Sequence, residues 1–163
     1  MDYLWTPWRY QYITEANREP GCVFCRAIEL GDDARALVLF RGRKNFIILN
    51  LFPYTTGHSM IVPYAHVGDL AGCDPETLTE MIELARRLQM ALETRYHPQG
   101  YNLGMNLGRS AGAGVADHIH LHVLPRWAGD TNFMTTVAET RMQPEEMAVT
   151  YEKLRRVLMA TES

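Results

Sequence analysis

The segment from Asp117 to Trp127 constrains this chain more than any other. It reads Asp-His-Ile-His-Leu-His-Val-Leu-Pro-Arg-Trp, so imidazoles at 118, 120 and 122 alternate with aliphatic side chains at 119, 121 and 123. A period of two is the period of a β-strand, on which alternate residues share a face. His118, His120 and His122 therefore point one way, with about 7 Å between successive rings, while Ile119, Leu121 and Val123 point into a core. Three imidazoles on one face are costly to bury without partners. Three readings stand at this point: chance alternation in an edge strand, a three-histidine metal site, and a catalytic histidine cluster. Imidazole is a common zinc ligand, so spacing alone does not separate the last two.

The rest of the chain supplies a sheet for that strand. Aliphatic and β-branched runs at Leu37–Phe40, Phe46–Leu51 and Ser59–Pro63 are separated by Arg41-Gly42-Arg43 and by Pro53 to Gly57, so strands are expected there. Then the period changes. Asp74 is a helix cap with Pro75 at the first position. Leu78, Met81, Ile82, Ala85, Leu88 and Leu92 fall on one stripe at three- and four-residue steps, and His97-Pro98 closes the helix. Strands are expected again at Tyr101–Leu107 and Ile119–Leu124. A last helix is expected from near Pro144, with Met147, Tyr151, Leu154 and Leu158 on one side. The pattern predicts an α+β fold: an antiparallel sheet with one long inserted helix and a C-terminal helix. Residues 1–163 are read as one domain, with an N-terminal arm at 1–20, a core at 22–127 and a tail with its helix at 128–163. The arm is rich in Trp and Tyr and needs cover from the body or a second subunit.

Composition narrows the classes of function. With 163 residues, 47% hydrophobic and a formal charge of -3, the chain suits a globular protein and not one that coats nucleic acid, which needs a basic face. A small anionic substrate is compatible, because a few Arg and His in one cleft create a local positive field. No apolar run is long enough to span a bilayer. The opening residues lack an apolar signal core, and three cysteines do not make a disulfide framework, so a cytoplasmic location is expected.

Two further motifs bear on chemistry. Asn106 to Gly114 is a Gly/Ala loop leading to the histidine strand. Its glycines allow backbone N–H groups close to phosphate oxygens, and Arg109 and Ser110 add donors, although such a loop also serves as a plain hairpin connection. It lacks the Lys-Ser/Thr ending of a P-loop. Cys22-Val23-Phe24-Cys25 has the spacing of half a zinc ribbon, and equally suits a redox pair or two buried thiols. Cys73 has no comparable neighbour.

Taken together, His118 to His122, the Gly-rich loop and Gly57-His58-x-x-Ile61-Val62-Pro63 resemble the histidine-triad (HIT) superfamily over about Cys22 to Trp127. Leu4–Arg9 and Pro125–Phe133 resemble more specifically its bacterial diadenosine tetraphosphate phosphorylase-like branch. The resemblance implies that His120 attacks an α-phosphate and becomes nucleotidylated, with its other ring nitrogen held by a backbone carbonyl of the triad strand. It implies that His122 donates to phosphate oxygens, that His58 orients the triad, that Asn50 contacts ribose and that Asn106 lies near the phosphates. Water as acceptor gives hydrolysis and inorganic phosphate gives phosphorolysis.

Many members carry Gln-Ser or Gln-Thr where Gly114 and Val115 stand here. That departure leaves backbone contacts only and favours the phosphorylase-like branch. Trp127 is read as lining the pocket near the triad. Zinc-carrying relatives complete the Cys pair with two histidines, which implies a closed structural site of Cys22, Cys25, His66 and His118. The resemblance further implies a homodimer. Alternatives are a hydrolase of nucleoside phosphoramidates or other nucleotide conjugates, and a zinc-containing nucleotide-binding module with little turnover.

Overall fold

The computed structural model describes residues 21–130 and 145–160. The N-terminal arm, the tail beyond Asp130 and the helix start near Pro144 lie outside the described residues. Five strands form one sheet: β1 (Val38–Arg41), β2 (Asn45–Leu49), β3 (Ser59–Pro63), β4 (Gly100–Gly104) and β5 (Leu121–Arg126), in the order β1-β2-β3-β5-β4. Every pairing is antiparallel, with registers such as Ile47↔Ile61 and Ile61↔Leu121. Among the described residues four α-helices accompany it: α1 (Val23–Glu29), α2 (Asp33–Ala36), α3 (Pro75–Tyr96) and α4 (Met147–Ala160). The α+β class with an inserted long helix and a C-terminal helix is what the sequence predicted.

The two faces of the sheet differ. One carries Leu39, Ile47, Leu49, Ile61, Leu121 and Val123 against α3 and α4, forming the larger core. The other carries Val38, Phe46, Ile48, Met60 and Val62 under Phe24 of α1. Asp74 caps α3 by accepting from the Thr77 backbone N–H at 2.8 Å, and His97, at φ 46, ends it. Its stripe departs from expectation at one place: Ile82 is 61% exposed, and Leu84 and Ala91 are buried instead. At about 100° per residue, Ile82 lies beyond the arc that the sheet covers.

The inserted helix is also tied to the β1–β2 turn by a buried carboxylate. Glu80 accepts from the backbone N–H groups of Arg43 (2.8 Å), Lys44 (2.6 Å) and Asn45 (2.8 Å), and from the Asn45 side chain (3.0 Å). Burial alone would raise the Glu80 pKa, but these donors outweigh it and hold the group below its ordinary value. Among the described residues no helix is long and apolar enough to cross a membrane.

Several boundaries differ from the sequence reading. Leu37 is not in a strand; it ends α2 with φ 60, and β1 begins at Val38 with a register shift before Phe40. The expected strand to Leu107 stops at Gly104, and β5 starts two residues later than expected, at Leu121. The residues before it bond elsewhere: the Ile119 N–H donates to Val67 O at 2.8 Å. Helices α1 and α2 were not anticipated, because seven and four residues are too short to show a period.

Candidate active site and metal cluster

The histidines do not face solvent. His118 and His120 are 1% and 6% exposed, covered by Phe24, whose ring lies 5.4 Å and 5.0 Å from theirs between centroids. Neutral imidazoles tolerate such burial when both nitrogens are used. The first triad histidine is positioned by the main chain: His118 Nε2 lies 2.9 Å from the Pro63 carbonyl oxygen. A carbonyl only accepts, so Nε2 carries the proton and Nδ1 is left with its lone pair. That lone pair points at sulfur, with Cys22 Sγ at 3.2 Å and Cys25 Sγ at 3.7 Å from Nδ1. His66 Nδ1 lies 3.4 Å from Cys25 Sγ. The four donor atoms of Cys22, Cys25, His66 and His118 all lie within 4.8 Å of one another.

A four-ligand tetrahedron with bonds of about 2.0–2.3 Å needs donor separations of this order, and Cys2His2 is a zinc-type set. The residues therefore fit a zinc ion. Burial, then the neighbouring Cys22, raises the Cys25 thiol pKa; a dication would reverse that by stabilising thiolate.

The backbone carbonyl of His118 performs the next task. His120 Nδ1 lies 2.9 Å from it, so Nδ1–H donates and Nε2 keeps the lone pair. Burial lowers the His120 pKa, which keeps the ring neutral and nucleophilic. A second relay fixes His122. The Tyr54 backbone N–H donates to His58 Nδ1 at 3.1 Å, so the His58 proton sits on Nε2. That proton faces His122 Nδ1 at 2.9 Å, and the neutral His122 ring then carries its proton on Nε2. Burial, and then the neighbouring His120, push the His122 pKa down to about 4. The pair of rings thus presents a lone pair on one Nε2 and a proton on the other, with centroids 4.8 Å apart.

Gly57 sets up this relay. It sits at φ 81, and a Cβ there would meet Leu92 Cδ2 at 2.8 Å, so only glycine lets the chain turn against α3 before His58. His58 itself is 1% exposed and stacks on Tyr54 with 5.0 Å between centroids.

Both Nε2-bearing rings line a cavity of about 390 Å³ on the α1 side of the sheet. Of the sequence-predicted substrate residues, Asn50, Asn106, Gly114 and Val115 also line it. Asn50 serves its turn at the same time, its Oδ1 accepting from Phe52 N–H at 2.9 Å. Arg109 and Ser110 do not line the cavity; they form an exposed turn of 3-10 helix between Gly108 and Gly112. Trp127 also lies apart from it, its indole N–H donating to the Tyr96 carbonyl at 3.3 Å at the end of α3.

Sequence reasoning missed Phe24, Arg26 and Arg35, which wall the cavity from α1 and α2. The Cys-x-x-Cys spacing held a signal for Phe24, since a residue between two ligands is brought beside the cluster. Two larger depressions, about 760 Å³ each, are shallow and carry Arg and Glu but no histidine.

The chain belongs to the HIT domain family, which matches residues 32–129, and it is an enzyme of nucleotide processing. Among its relatives, a protein of Mycobacterium tuberculosis named AP-4-A phosphorylase is 36% identical over 170 residues, covering 99% of this chain and 84% of its own. An adenosine 5'-monophosphoramidase of Saccharomyces cerevisiae is 29% identical, covering 68% of this chain and 66% of its own. A crystal structure of a Zn-bound histidine triad family protein from Mycobacterium smegmatis superimposes with a TM-score of 0.71 at 30% identity, covering 87% of this chain and 96% of its own.

Proposed function

We propose that this enzyme cleaves dinucleoside polyphosphates of the diadenosine tetraphosphate type by phosphorolysis, through a nucleotidyl group carried on His120. One observation carries the reading: the His120 ring donates its only proton to the His118 carbonyl, so its free Nε2 belongs to the wall of the nucleotide-sized cavity. In the first step the Nε2 lone pair forms a bond to the α-phosphorus, and the P–O bond to the rest of the chain breaks. The leaving group, a nucleoside triphosphate, departs as ATP. Proton loss from Nδ1 is not needed, because the positive charge on the ring is shared with the His118 carbonyl. His122 donates from Nε2 to a phosphate oxygen as charge shifts there. In the second step an oxygen of inorganic phosphate attacks the same phosphorus, the N–P bond breaks, and its electrons return to Nε2. ADP is released and the ring is neutral again. Asn50, Asn106, Gly114 and Val115 bind the nucleotide; His58 is a positioning residue for His122.

Zinc held by Cys22, Cys25, His66 and His118 serves as a structural cross-link between α1 and the triad strand, its four ligands leaving no open position. Arg109, Ser110 and Trp127 have no assigned part in this scheme. The whole chain acts as one domain, and a homodimer forms through α3 and a sheet edge, where Ile82 (61%), Met90 (50%) and Leu103 on β4 (49%) are exposed. We place the enzyme in the cytoplasm, where Cys22 and Cys25 as zinc ligands and Cys73 as a thiol stay reduced.

The test is product analysis with and without phosphate. ADP with ATP in phosphate supports phosphorolysis, and AMP with ATP establishes hydrolysis instead. Acid quenching should trap labelled nucleotide on protein, and His120→Ala should abolish both label and turnover.

A further inference from the structure

The scheme above uses the imidazoles and the loop but leaves the α1–α2 wall of the cavity unexplained. That wall holds two arginines, Arg26 and Arg35, beside Val23, Ala27 and Leu37. Their place in the sheet decides what they can meet. His122 lies on β5, and Arg35 lies just before β1, at the other side of the order β1-β2-β3-β5. Along the register Val38↔Ile48, Ile48↔Met60 and Met60↔His122, three steps of about 4.8 Å put Val38, just after the helix that carries Arg35, about 14 Å from His122. An extended nucleoside 5'-phosphate covers most of that length from its phosphorus to its base, and the long side chain of Arg35 closes the rest. The phosphorus belongs beside His120 and His122, so the base belongs at the α1–α2 end. The surfaces there suit a flat ring: Val23, Ala27, Leu37 and Ile48 are aliphatic or small. Arg35 is the exposed charge at the rim of that slot, and no ion pair engages its guanidinium among the described residues.

We infer that Arg35 is a specificity residue that reads the edge of the bound base and favours a 6-oxopurine over adenine. The inference rests on the reading that a nucleotide occupies this cavity with its α-phosphate at His120. A guanidinium is a rigid fork of donors with no acceptor. Guanine presents O6 and N7 side by side, two acceptors that match the fork. Adenine presents N7 beside an amino group, a donor that faces Arg35 as like against like. Within the dinucleoside polyphosphate class proposed above, a molecule that offers guanine to the attacked half then binds more tightly than diadenosine tetraphosphate, which is still cleaved to the same kind of products.

Equilibrium binding of GMP, IMP and AMP, measured by titration calorimetry on the metal-loaded wild type and on Arg35 variants, tests this without turnover. IMP keeps O6 and N7 and lacks the 2-amino group of guanine. GMP and IMP should bind alike, each about tenfold tighter than AMP, within the range of one bidentate base contact. Arg35→Ala should bring the three within about twofold, chiefly by weakening GMP and IMP. Arg35→Gln, whose amide both donates and accepts, should favour AMP. The idea is overturned if AMP binds as well as GMP in the wild type, if the preference survives Arg35→Ala, or if all three weaken equally, which marks a phosphate contact. Absence of binding by any of the three overturns it too. Failure of the covalent scheme reads differently: no nucleotide trapped on His120, with the Arg35-dependent order of binding intact.

Discussion

Replacing His58 by Phe separates the relay from the nucleophile. Phenylalanine keeps a ring that can stack on Tyr54, where the imidazole now lies 5.0 Å away at 21°, and fills nearly the same buried volume. Two hydrogen bonds disappear: Tyr54 N–H to Nδ1 at 3.1 Å and Nε2–H to His122 Nδ1 at 2.9 Å. The Tyr54 N–H belongs to a half-exposed loop residue and can turn to water, so its loss costs little. The second bond is the one that fixes the proton of His122 on Nε2. A typical hydrogen bond is worth about 0.5–1.5 kcal/mol net, and more where a buried partner is left unpaired. Taking about 1–2 kcal/mol as the lost bias at the transition state, kcat should fall about 5- to 30-fold, with KM for the dinucleotide little changed. Chromatographic assay of nucleoside products gives kcat and KM, and acid-quenched label on His120 shows whether the first step has slowed. A His58→Phe enzyme that folds normally and turns over within twofold of wild type would refute the relay.

Three other outcomes are expected. Glu80→Gln turns an amide NH2 toward backbone donors now paired with carboxylate oxygens; leaving one or two unpaired should cost about 2–4 kcal/mol and lower Tm by about 6–12 °C, with kcat unchanged. Because the folded Glu80 pKa is below its unfolded value, its contribution is present above that unfolded value and lost as pH falls through the folded one, so the gap in Tm between Glu80→Gln and wild type should narrow in acid. His122 works on a different window: with its folded pKa at about 4 against 6.5 unfolded, the unfolded chain binds the extra proton, and stability falls between pH 6.5 and about 4 with no loss above. His122→Asn should flatten that part of the Tm profile, and the acid limb of wild-type kcat/KM should lie well below 6.5. Cys22→Ser should lower bound zinc, measured by metal analysis, and slow turnover while leaving the His120 side chain in place; undiminished metal content would point to an all-histidine site.

The parts of this molecule that were legible in the sequence are those where a period repeats. Alternation at 118–123 announced a strand, and the three- and four-residue steps from Leu78 to Leu92 announced α3, with Asp74 and His97 as its ends. Ile82 was misplaced because periodicity shows an apolar stripe without showing how wide an arc the sheet covers. Helices α1 and α2 are too short to repeat, and Leu37 adopts a left-handed φ of 60 that an aliphatic residue does not advertise. In the site, the residue types that carry chemistry were visible. For His120 the resemblance already implied a carbonyl of the triad strand, which is that of His118; the Pro63 carbonyl and the Tyr54 N–H, which choose the tautomers of His118 and His58, were not legible. Arg26 and Arg35 look like ordinary surface charges until the strand order brings them to the cavity.

The contact between His120 Nδ1 and the oxygen of residue 118 has a consequence for how this enzyme can change. The group that aims the attacking lone pair belongs to the peptide bond, so every amino acid encoded at 118 would still present it. Drift at that codon can disturb the ion cluster and tilt the peptide plane, but it cannot delete the acceptor. Only a backbone edit, such as an ester replacing the amide that follows residue 118, would weaken that oxygen as a base while keeping every side chain.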